Sequence, residues 1–493
     1  MLRIHRSIVV ATLVALALLA AACGGGGDDD GGSGPDDSTG GDEVAADLPE
    51  CPLEALDEAT APVDITLWHT ATATNKEALE RLVGEYNDSQ EQVVVTAEAV
   101  GAAAEELSRL YNQSISSGDL PAVAIFEDTQ NQFLADTDTI LPASSCIAAQ
   151  DGEQPDWLPV IEPSFTVDGA MWPSAVNLTS PILYYNRGHF EEAGLDPDEP
   201  PQTLDEIRET AQAIKDAGAS DNPFVFLVNP WYLETWMTGI GQTIVNEDNG
   251  RSGVATEATL DNENVTEVLS WLQEMQDDGL MNAIRQGPGV VDQFLALGTG
   301  NGSMLIETST ASVSVEGFLE GDLDASELTE DGRVPTGLDT ELDVDAAPIP
   351  GVAEAGQAQV GGGVWMITST TPPEQQAAAW DFLTWWNSLP TQVTWNLDGG
   401  SLPSIQGASD DPALQETWET TLSGQWLATA YEQLANVSPD EAGPAIGPYF
   451  DVRAEIRNQM EAVIFDGADP AEAAAAMQEG VTEALATYEE ENF

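Results

Sequence analysis

From Val63 onward the chain alternates between short strand-patterned segments and longer helix-patterned ones, and this alternation leaves few folds open. Residues 64–68 (DITLW) read as a strand, residues 75–87 carry Ala78, Leu79, Leu82, Val83 and Tyr86 at helical spacing, and residues 93–96 (VVVT) return to a strand. A helix over 103–117 and a short apolar strand over 122–126 follow. Repeated units of this length predict a parallel sheet with helices on both faces, an α/β domain. Farther along, residues 182–186 (ILYYN) are apolar enough for a strand, and Thr203 with Glu206 forms a capping-box pattern that opens a helix through Ala217. The pattern predicts another helix over 264–277 and a strand over 303–306, whereas Trp231 and Trp236, near Pro230 and Tyr232, read as a loop-like aromatic cluster. Beyond Gly361 the pattern is helical, over 372–388, 451–465 and 470–490. Helices gathered after alternating units predict two lobes between which the polypeptide crosses more than once.

Charge excludes several functions. Thirteen Lys plus Arg face 86 Asp plus Glu in 493 residues, a net charge of −73. A nucleic-acid binder neutralises phosphates with clustered cations, and no such cluster exists here; electrostatic attachment to anionic lipid is disfavoured for the same reason. Zinc motifs of the HExxH or CxxC kind, a P-loop and a GxSxG elbow are all missing. No metal site and no cofactor is expected. Residues 316–345 are acidic without the order of a calcium loop and read as a solvated surface insertion.

The N-terminus has a basic start (Arg3, His5, Arg6) and an apolar run over residues 8–22, too short to span about 30 Å of hydrocarbon comfortably. Residues 1–22 therefore read as an export signal. Small residues before Cys23 resemble a bacterial lipobox, so Cys23 is the expected lipidation site. Residues 24–50, rich in Gly and Asp, bury too little to fold; residues 23–61 are read as a lipid-anchored flexible tether. In an oxidising compartment the remaining Cys51 and Cys146 are expected to pair.

Several segments then resemble a known family. Trp68-His69 after a strand, residues 121–127 (PAVAIFE), residues 172–186 (WPSAVNLTSPILYYN), residues 190–197 (FEEAGLDP), residues 360–365 (VGGGVW) and residues 380–383 (WDFL) are similar to the family 1 extracellular solute-binding proteins of ABC importers, in the glycerol-3-phosphate and sugar-binding lipoprotein branch. The resemblance implies a two-lobed, type II periplasmic-binding-protein-like α/β fold. Crossing strands are then expected near 179–183, 305–308 and 361–365, with lobe 1 formed by 62–178 plus 308–360 and lobe 2 by 179–307 plus 361–493. It also implies ligand contacts: Glu127 at the end of an early strand, Thr179 before the crossing proline, Thr308 or Ser309 on the return strand, Gly362 or Gly363 in the glycine-rich turn, Arg453 near the final helices, and Trp231 or Trp236 as an aromatic wall. Two tyrosines of the pattern fall on the alanines around 102–104 and on Ser401, which weakens the case for a phosphate ligand.

The expected function is thus a membrane-tethered, monomeric, non-enzymatic receptor on the outer face of the cell membrane. It would deliver a sugar, polyol or glycerophosphodiester to ABC permease subunits. The alternatives are an extracellular glycoside hydrolase using a carboxylate pair and a cation-binding acidic surface lipoprotein.

Overall fold

The computed structural model describes residues 48–492 apart from 102, 151, 153, 288–291, 320–342 and 439–441. The expected export signal, Cys23 and most of the expected tether lie outside the described residues, as does most of the acidic stretch.

The first sheet contains β1 (Val63–His69), β2 (Val93–Ala99), β3 (Val123–Glu127) and β4 (Ile140–Leu141). After a two-stranded turn of β5 (Thr166–Val167) and β6 (Ala170–Met171), it gains β7 (Ala175–Thr179). The second sheet contains β8 (Pro181–Asn186), β9 (Phe224–Val228), β10 (Met281–Arg285), β11 (Met304–Thr308) and β12 (Val344–Pro348); β13 (Gly361–Thr368) returns to the first. The strand orders are β2-β1-β3-β13-β4, with β7 also on β13, and β10-β9-β11-β8-β12.

The expected parallel sheet holds only where strands are linked by helices. β1 pairs in parallel with β2 and β3, and β9 with β10 and β11. Strands that arrive by crossing run antiparallel: β13 against β3 and β7, and β8 against β11 and β12. Both sheets are therefore mixed. β8 is buried along its whole length because each face has its own core. Leu183 and Tyr185 face one hydrophobic cluster, while Ile182 and Tyr184 face the other. That two-sided burial is why the sequence there is a continuous apolar run instead of an alternating one.

The expected lobe boundaries are corrected in three places. Residues 51–61 are not all tether: Glu54–Glu58 is a helix with Leu56 buried, and Cys51 is disulfide-bonded to Cys146 with Cα atoms 5.0 Å apart. β12, expected in lobe 1, is hydrogen-bonded into the second sheet. β13, expected in lobe 2, lies in the first, and the helix Pro373–Trp386 packs beside it and on β1. The third crossing accordingly precedes Gly361, over 349–360. The helices Tyr449–Asp466 and Pro470–Asn492 pack on each other and on Glu263–Asp277, beside the second sheet.

Local rules account for the helix ends. Thr203 and Glu206 form both halves of the capping box, and Gly218 ends that helix at φ +81°. The aromatic cluster around Trp231 is a helix, Pro230–Thr238: the Asn229 side chain accepts from the Trp231 N–H at 3.1 Å and Pro230 occupies the first turn. The Asn-Pro pair is a helix-start signal; the density of aromatic residues masked it.

Candidate ligand-binding cleft

Ser180 alone separates the last residue of β7 from the first of β8, so the two sheets meet at one buried residue. Its carbonyl accepts from Ser309 N at 2.8 Å, and its amide donates to Ser309 Oγ at 3.2 Å. Gln433, buried on the helix Leu422–Asn436, donates to Ser180 Oγ and to Pro181 O, and accepts from Ile349 N. One side chain thereby ties the first crossing to the third. Thr179 and Thr308 exchange a short hydroxyl contact at the same point.

Above this junction lies a cavity of about 520 Å³ between the sheets. Thr179 and Thr308 form its floor, Trp231 and Asn229 a wall in the second lobe, and Glu127 and Asp128 the end of β3 in the first. Two glycines shape the floor. A Cβ on Gly361 would lie 2.6 Å from the Trp231 ring, so only glycine lets the indole rest on the strand. Gly362 has φ +135° and would place a Cβ 1.8 Å from Asn177 O, so its backbone passes where no side chain fits.

Of the sequence-predicted residues, Glu127, Thr179, Trp231, Thr308, Gly362 and Arg453 line this cavity. Three do not. Trp236 is 1% exposed, stacks on Phe226 and donates to Pro350 O at 3.0 Å, so it belongs to the core. Ser309 is buried behind the floor, bonded to Thr179 and Ser180. Gly363 pairs with Glu127 inside the strand.

Arg453 lines the cavity but is already engaged. Its Nε and Nη2 donate to the two carboxylate oxygens of Glu234 at 3.0 and 2.9 Å, Tyr449 donates to the same carboxylate at 2.9 Å, and Glu127 lies 3.6 Å from Nη1. Glu234 is fully buried. Sequence reasoning missed it because one glutamate among 86 acids carries no signal. Arg457, also missed, lies one helical turn beyond Arg453 and, among the described residues, donates to Gln286 Oε1 at 3.3 Å without an ion pair.

The cavity is acidic. Glu105, Glu127, Asp128 and Glu307 line it against Arg453 and Arg457. Burial pushes the Glu127 carboxyl above its ordinary range, opposed by Arg453, and burial likewise raises that of Glu307. Burial with Glu127 alongside pushes Asp128 up to about 7, against an ordinary 3.8. Its Oδ1 still accepts from Gly362 N at 3.2 Å. A carboxyl raised in the folded state holds its proton between those two values, so the stability it contributes is present near pH 4 and lost as pH rises through 7. Asp128→Asn, which keeps the acceptor, is expected to flatten unfolding curves measured between pH 4 and 8 at constant salt and to raise stability at pH 8. Equal slopes in the two proteins would exclude Asp128 as their source. Among the described residues, no group of three or more His, Cys, Asp or Glu is placed to hold a metal ion, and no helix is long and apolar enough to cross a membrane.

Residues 81–421, well over half of the chain, match the model of the bacterial extracellular solute-binding proteins. The chain belongs to this family. It is 32% identical over 168 residues to the sn-glycerol-3-phosphate-binding periplasmic protein UgpB of Rhizobium meliloti, an alignment covering 33% of this chain and 39% of the relative. The chain thus spans well under two thirds of that relative's length. Two solved structures share the fold. The cyclic α-maltosyl-1,6-maltose binding protein of Arthrobacter globiformis superposes with a TM-score of 0.67 at 22% identity, over 86% of this chain and 99% of that one. UgpB of Mycobacterium tuberculosis, in complex with glycerophosphocholine, gives 0.68 at 16% identity, over 87% and 100%. As a solute-binding protein of this family, the chain works outside the cytoplasm.

Proposed function

We propose that the protein is the receptor of an ABC importer, tethered through Cys23, and that it captures a neutral sugar or polyol in the interlobe cleft without turning it over. The observation that carries this reading is the state of Arg453. The residue best placed to hold a phosphate is neutralised by Glu234, and the remaining walls are acidic. A hydroxyl-rich neutral ligand suits them. The Trp231 face takes the CH surface of a sugar ring, while Glu127, Thr179, Thr308 and Asn229 supply hydroxyl partners. Relatives named for maltose-type sugars lie on the same fold.

A second reading has a specific observation of its own. Arg457 makes no ion pair among the described residues and lines the cleft, so it could hold the phosphate of a glycerophosphodiester, the ligand class of the mycobacterial relative.

Calorimetry on the chain lacking its leader, against neutral sugars, polyols, glycerol 3-phosphate and glycerophosphocholine, separates the readings. Binding of a neutral sugar or polyol that survives Arg457→Ala is the expected result. Binding confined to phosphorylated ligands and lost in Arg457→Ala would replace the first reading by the second. Hydrolysis of an aryl glycoside would overturn both.

A further inference from the structure

The interlobe cavity does not end at its first walls. Glu105 and Phe450 also line a second cavity, of about 540 Å³, between the helix Ala104–Ile115 of the first lobe and the helices Tyr449–Asp466 and Pro470–Asn492 of the second. Each cavity alone has the size of a small-molecule site, which runs from about 300 to 1,000 Å³. We infer that the second cavity is a subsite for a further sugar ring of the same ligand, so that the solute is a glycoside of two or more rings. The inference rests on the sugar reading above and extends it.

The second cavity carries the chemistry of sugar recognition on both sides. Residues 105, 108, 109, 112 and 113 follow one another at helical spacing and present a single face to it. Asn112 is exposed there, and among the described residues Arg109 donates to Gln113 Oε1 alone, at 3.3 Å. Arg109 makes no ion pair among the described residues, in a chain where carboxylates are abundant. Gln130 is the most informative group. It is 3% exposed, and its Oε1 is taken by the Ser108 hydroxyl at 3.2 Å. No hydrogen bond among the described residues uses its Nε2, and Gln130 lines the cavity, so its amide remains a donor available to a ligand hydroxyl. Aromatic surface faces these polar groups. The Phe133 and Tyr488 rings lie 6.5 Å apart, and Tyr488 is oriented by donating to Asp136 Oδ2 at 2.8 Å. Phe450 stands between the two cavities as a surface that either ring of a ligand can stack on. The end of β3 and the chain after it serve both sites, with Glu127 and Asp128 in the first and Gln130 and Phe133 in the second.

The test is calorimetry on the full mature chain with two matched series, glucose, maltose and maltotriose, and galactose, melibiose and raffinose. In at least one series the disaccharide or trisaccharide is expected to bind at least tenfold more tightly than its monosaccharide. Gln130→Leu and the surface change Asn112→Ala are each expected to remove most of that gain. A monosaccharide that binds as tightly as its longer partners would overturn the subsite and leave the sugar reading intact. So would a gain that persists in both variants. Binding of glycerophosphocholine or glycerol 3-phosphate with no sugar bound in either series would overturn the sugar reading and the subsite together.

Discussion

Glu234→Ala is expected to lower the unfolding free energy by about 3–5 kcal/mol, the cost of leaving one member of a buried ion pair without its partner. Glu234 is fully buried and receives three donors, two from Arg453 and one from Tyr449. Its loss strands a guanidinium whose side chain is 17% exposed and whose next carboxylate, Glu127, lies 3.6 Å away across the cleft. Arg453→Ala should destabilise to a similar degree through the abandoned Glu234. Replacing both by apolar residues of like volume should recover much of the loss, because the pair's desolvation cost then vanishes with its attraction. Urea denaturation of the two single variants and the double variant measures this. A single variant that loses under about 1 kcal/mol, the range of an exposed pair, would show that Arg453 is free to serve a ligand.

The second large effect separates two tryptophans five residues apart. Trp231→Ala is expected to weaken solute binding at least thirtyfold, about 2 kcal/mol, as for an aromatic anchor at the centre of a site. Trp236→Ala should instead destabilise the fold by about 3–5 kcal/mol, the range for emptying a buried aromatic position. The contrast follows from what each ring touches: Trp231 faces the cavity over Gly361, whereas Trp236 is enclosed by Phe226, Trp271 and the Pro350 carbonyl. Calorimetry and thermal denaturation of both variants test it. Undiminished affinity in Trp231→Ala would remove the aromatic wall from the site.

Much of the architecture was legible because it is local. Apolar spacing at 75–87, 264–277 and 470–490 marks amphipathic helices, and observed helices cover each of these spans. The same applies to the capping box at Thr203 and to the fully buried strand β8. Residues near the crossings, Thr179, Thr308 and Gly362, could be named because strand ends and glycine turns leave a pattern that family resemblance recognises. Where legibility failed, the deciding contact was distant. β12 and β13 were assigned to the wrong lobes since nothing within either strand records which sheet it will join; β12 pairs with residues about 160 positions earlier and β13 with residues about 180 to 240 earlier.

The sequence by itself determined the class of chain: a strongly acidic α/β chain of strand and helix units, whose segments resemble those of solute-binding proteins and whose charge excludes a nucleic-acid binder. Only the tertiary structure decided the chemistry of the cleft. It placed Glu234 against Arg453 across 219 positions, put Trp231 in the cavity and Trp236 in the core, and left the Gln130 amide at the edge of a second cavity. The physical reason is that helix and strand propensities act over a few residues, while the state of a charge or a ring is set by burial and by partners that approach only when the chain has folded.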